Sequence, residues 1–143
     1  MKFDPTKNYY GIDISIEENR IIWNFWEFVK NLITLSSPSA KQKEIIGFGA
    51  VADEMAIDFD NYYKLNSQEF SNKKLLSIDL INELDKIDQF FEIRSGEKNP
   101  EFWNDSILDT SKDWESIRVM ARNILKKMEF DNVCFPVFRT IQK

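Results

Sequence analysis

Between Asp53 and Tyr63 the chain sets four carboxylates and two phenols close together: Asp53, Glu54, Asp58, Asp60, Tyr62 and Tyr63. Glu54 and Asp58 share a face if the segment is helical, and Asp58 and Asp60 share one if it is extended. A carboxylate pair can divide acid and nucleophile roles in glycoside hydrolysis, or hold a magnesium ion for phosphoryl chemistry. Either use needs a cleft that raises one pKa and leaves the partner ionised, and spacing alone does not provide it. Carboxylates interleaved with aromatic rings also suit recognition of a basic protein surface. The plainest reading is a wetted face of an amphipathic segment.

What is missing narrows the chemistry further. The 143 residues contain no histidine and a single cysteine, Cys134. A Ser-His-Asp triad, a Cys-His pair, an HExxH zinc site and a Cys/His zinc finger are therefore impossible within one chain. Cys134 lies in an apolar run and reads as a small buried hydrophobe. Gly47-Phe48-Gly49 lacks the third glycine of a dinucleotide loop and the Lys-Ser/Thr of a P-loop. No catalytic residue, cofactor site or metal site is assigned. Phe102-Trp103 falls in a loop, where the pair serves either as an interface anchor or as a clamp folded back on the domain. Arg118, Arg122 and Lys126 are expected on the outer face of a helix, paired with nearby acids.

Hydrophobic residues make up 43% of the chain and charged residues 30%, a composition suited to one folded domain spanning residues 1–143. Aromatics reach 14%, enough to fill a core and leave some rings for an interface. The net charge is −5, and it is uneven: residues 45–63 carry four acids and no base, while residues 111–143 carry seven bases and four acids. An acidic middle argues against nucleic acid as a partner and for a basic protein. No apolar run approaches the roughly 18–20 residues needed to cross a bilayer. Met1 to Pro5 lacks the apolar stretch of a signal peptide, and one unpaired cysteine suits a reducing compartment, so a cytoplasmic location is expected.

These residues must be positioned by a mixed architecture. Helical spacing predicts a first helix from Ile16 to Leu35, opened by a Ser15–Glu18 capping box, with Trp23-Asn24-Phe25-Trp26-Glu27-Phe28 mostly in the core. A second helix is expected from Ser37-Pro38 to about Met55, weakened by Gly47 and Gly49. Ser77 should cap a third from Ile78 to Ile93, and Ser111 a fourth from Lys112 to Met128. Tyr9–Ile14, Ile57–Tyr63 and Val133–Phe138 read as short strands, and Leu65–Asn72 as a loop. The expectation is an α+β domain, mostly helical, with about four helices and two or three short strands.

In size, in its lack of catalytic motifs and in acidic-aromatic segments such as Asp53 to Tyr63, the chain resembles the small acidic immunity proteins of bacterial toxin systems. The resemblance implies a protein that binds a cognate toxin domain, often over its active site. The expected partner is then a basic toxin, met by Asp53, Glu54, Asp58, Asp60, Tyr62, Tyr63, Phe102 and Trp103. Two other functions are open: a carboxylate-dependent hydrolase or metal-dependent enzyme that uses the same acids, and a scaffold or homodimeric interaction domain that uses the first helix and the Phe102-Trp103 loop.

Overall fold

Apolar residues recur at intervals of three and four through the described chain, and they fold it into helices. A computed structural model describes residues 1–47, 49–97 and 99–133. Its elements are α1 (Glu17–Ser36), α2 (Ser39–Ile46), α3 (Val51–Phe59), α4 (Ser67–Asn72), α5 (Ile78–Arg94) and α6 (Lys112–Lys127). A π-helical turn (Asp60–Lys64) continues α3, and a 3-10 turn (Asp105–Ile107) precedes α6. The α+β expectation is therefore wrong: among the described residues there is no strand.

Two of the expected strands, Ile57–Tyr63 and Tyr9–Ile14, are misassigned for local reasons. In Ile57–Tyr63 the alternation is only four residues long, whereas Ala52, Met55, Phe59 and Tyr63 keep helical spacing and are all buried. A strand would turn Ile57 and Phe59 to one side, but Phe59 is fully buried and Ile57 is 49% exposed. Tyr9–Ile14 forms turns, with Tyr9 buried and its hydroxyl accepting a bond from the Asp4 amide at 3.0 Å. Val133 lies outside any helix or strand, and the rest of Val133–Phe138, with Cys134, falls outside the described residues. The supposed loop Leu65–Asn72 contains α4, whose Phe70 is buried edge-on against Phe25 at 5.0 Å.

Helix ends follow chemistry that is only partly local. Ser77 and Ser111 cap α5 and α6 as expected, accepting from the Leu80 and Trp114 amides. The Ser15 box does not form, because the Ser15 hydroxyl donates to Asp13 Oδ1 at 2.6 Å and Ile16 takes the N-cap position. The long second helix breaks at Gly47 (φ 80°) and Gly49 (φ 109°), conformations that glycine adopts without a Cβ clash.

α1 is the centre of the molecule: it packs on α6 along one side and on α3 and the π turn along the other. Phe28, Val29, Leu32 and Leu35 are completely buried there. Its C-terminal carbonyls are satisfied partly by Ser36 and Ser37 at the helix end and partly from other helices. Gln42 of α2 donates through Nε2 to Thr34 O and Leu35 O, both at 3.1 Å. Gln42 Oε1 in turn accepts from Arg118 Nε and Nη2 of α6, both at 3.3 Å. Arg118 is only 3% exposed, which corrects its expected place on the outer face. Arg122 is exposed and donates to Ser36 O at 2.9 Å.

Candidate functional site

α3 is held from both ends of its own span. Its N-cap, Ala50, has no side chain to offer, so Asp105 reaches across from the 3-10 turn. The Asp105 carboxylate accepts from the Val51 amide at 2.8 Å and the Ala52 amide at 3.0 Å. Below, Val51, Ala52, Met55, Phe59 and Tyr63 anchor the helix in the core. At the far end the π turn closes with the Leu65 amide donating to Asp60 O at 3.1 Å. Asn66 Nδ2 donates to Asn61 O and Tyr62 O of the same turn. Such π turns occur often at functional sites. What α3 and its turn leave outward are Asp53, Glu54, Ile57, Asp60, Asn61, Lys64 and Leu65.

On the α5 side of this ridge lies a groove with an aromatic wall. A cavity of about 540 Å³ is lined by Asp53, Ser95, Gly96, Glu97, Pro100 and Trp103. A smaller one of about 150 Å³ shares Ser95 and Trp103 and adds Ala56, Asp60, Lys64, Asp88, Phe91 and Glu92. The Trp103 ring is fixed: its Nε1 donates to Arg94 O at 2.7 Å, and it stacks on Phe91 with centroids 6.2 Å apart. Lys64 Nζ lies 3.6 Å from Asp88 Oδ2. Burial pushes the Asp88 carboxyl above its usual range; Lys64 pulls it down while Asp60 and Glu92 push it further up.

On the α1 side the carboxylates meet a largely buried ion pair. Lys30 Nζ and Glu27 Oε1 are 2.7 Å apart, and the ammonium sits over the Trp26 ring at 4.1 Å. Asp58 faces this pair. Burial, then Glu54, then Glu27 raise its pKa to about 6, and only Lys30 opposes them. The Tyr62 hydroxyl is raised by burial and by the Glu27 and Asp58 charges. Its ring meets Trp23 edge-on at 6.2 Å.

The residues singled out in the sequence thus divide three ways. Asp53, Asp60 and Trp103 share the α5 side, and Glu54, Asp58 and Tyr62 lie toward α1. Tyr63 and Phe102 belong to the core, 1% and 5% exposed, and so offer a partner almost no surface. Tyr63 donates its hydroxyl to Asp85 Oδ1 at 2.7 Å, and Phe102 lies flat on Trp114 at 4.8 Å. Sequence reasoning missed Glu27, Lys30, Asp88 and Glu92. The available signals were a charged pair three residues apart inside an apolar helix, and two α5 acids one turn apart.

Chemically, the face offers fixed aromatic surface beside an excess of carboxylate, a combination that attracts cations. Among the described residues no group of three or more acidic or cysteine side chains is arranged to hold a metal ion. No helix among them is long and apolar enough to cross a membrane. Fold and site together define an all-helical, acidic-faced molecule over the described residues. Comparison with family models, with curated proteins and with solved structures gives no match to the chain.

Proposed function

We propose that the protein works in the cytoplasm by binding a basic protein, in the manner of an immunity protein that neutralises a toxin. The observation that carries this reading is the outward face of α3. There Asp53, Glu54 and Asp60 surround Ile57, with the Trp103 groove on one flank and Tyr62 and Trp23 on the other. An apolar centre with a charged rim is the common anatomy of a protein interface. The rim steers a basic partner inward, and the fixed rings retain it once docked.

The test is affinity capture with co-expressed neighbouring gene products at low and moderate salt, repeated with the D53K/D60K double variant. The expected result is a stoichiometric basic partner whose binding weakens with salt and drops about tenfold or more on charge reversal. Equal capture by wild type and variant at both salt concentrations would reject the reading, provided circular dichroism shows the variant folded. Recovery of the protein only as a dimer would favour self-association instead.

A further inference from the structure

We propose that the smaller cavity between α3 and α5 seats one cationic side chain of the partner, preferably an arginine, and that Lys64 holds this seat when the partner is absent. The inference rests on the binding role proposed above and adds the identity of the contact. Three carboxylates, from Asp60, Asp88 and Glu92, line the cavity beside one ammonium. That ammonium is the chain's own stand-in: Lys64 Nζ lies 3.6 Å from Asp88, and the lysine side chain is half exposed. Lys64 is the mobile half of this pair: its side chain is 50% exposed against 18% for Asp88, and at 3.6 Å the contact is long enough for a better-fitting cation to displace the ammonium. The aromatic wall, Trp103, is locked by its bond to Arg94 O and by Phe91, so it is in place before any ligand arrives.

The wider groove beside it supplies the approach. It shares Ser95 and Trp103 with the seat, and it carries Asp53 and Glu97 on its rim. An extended basic segment can lie along it and turn one side chain inward. A guanidinium is planar and weakly hydrated, pairs with a carboxylate through two N–H groups, and stacks on an indole. Lys64, a compact ammonium on a tethered stem, has only the charge. The geometry therefore makes Lys64 a residue that sets specificity by competing with the incoming cation.

The experiment titrates nitrogen-15-labelled full-length protein with an arginine-rich peptide, its lysine counterpart and its neutral citrulline counterpart, and repeats the series on K64M, D88N and W103F. In the expected result the Trp103 indole and the Ser95 and Gly96 amides shift with arginine more than with lysine, and not with citrulline. K64M, on an exposed side chain, should tighten binding about threefold. D88N should weaken it, and W103F, which keeps a smaller and weaker aromatic face, should reduce the preference for arginine. Unchanged affinity in K64M would overturn the proposal, as would shifts confined to other acidic surfaces with Trp103 unmoved. If the captured partner and the peptides respond to D53K/D60K but not to K64M or W103F, the seat is refuted while the acidic-face role stands. If nothing responds to either set, both fall.

Discussion

Asp58 carries a carboxylate into a place that disfavours it: half-buried, beside Glu54 and Glu27, with Lys30 as the opposing charge. Its folded-state pKa is raised from 3.8 to about 6, so the native chain binds more protons than the unfolded one between those values. Stability from this group is thus greatest below the unfolded value and is lost as pH rises to about 6. Above that the ionised side chain opposes folding. D58N should therefore stabilise the protein at pH 7.5, by about 1 kcal/mol once partial exposure is allowed for, and leave it unchanged near pH 3.5. Urea unfolding at the two pH values measures the difference, and an equal effect at both would refute the assignment. The sequence made Asp58 stand out but could not separate Tyr62 from Tyr63. Helix phase does so, because Tyr63 follows the buried Phe59 by one turn whereas Tyr62 turns toward α1.

At the scale of elements, α1, α5 and α6 were legible because each carries a long apolar stripe, and α5 and α6 also carry a serine cap. α2 and the first half of α3 fell within one expected helix, but the second half of α3 was not legible, because the short alternation from Ile57 satisfies two periods at once and only burial chooses between them. The α3 N-terminus also depends on a residue over fifty positions away. D105A removes the acceptor for the Val51 and Ala52 amides and should destabilise the fold by about 1–2 kcal/mol. Hydrogen exchange should show the loss concentrated in the first turn of α3. Protection lost evenly over α1 and α6 would contradict that local role.

For the whole molecule, the buried polar link through Gln42 joins α1, α2 and α6 at one point. Q42A leaves Arg118 with fewer partners and removes the side-chain donor to the Thr34 and Leu35 carbonyls, of which Thr34 O keeps the Ser37 amide. The expected loss is about 2–3 kcal/mol in global stability, with the helical spectrum retained in the remaining native state. Chemical denaturation tests it, and a change below about 0.5 kcal/mol would show that the carbonyls find other donors. Neither partner in this link is conspicuous in the sequence. Gln42 sits in a short polar helix, and Arg118 looked like one member of a wet basic row until α2 closed over it.

The sequence by itself determined the acidic centre of the chain, the exclusion of histidine chemistry, and three of the helices, since each depends only on residue types and local spacing. Tertiary structure alone decided that Ile57–Tyr63 is helical, that Tyr63 and Phe102 are core, and that Asp53, Asp60 and Trp103 meet around one groove with Asp88 and Glu92. The reason is physical. Spacing fixes which side chains share a helix face, but burial and the capping of helix ends depend on which other helix arrives, and those contacts join residues far apart in the chain.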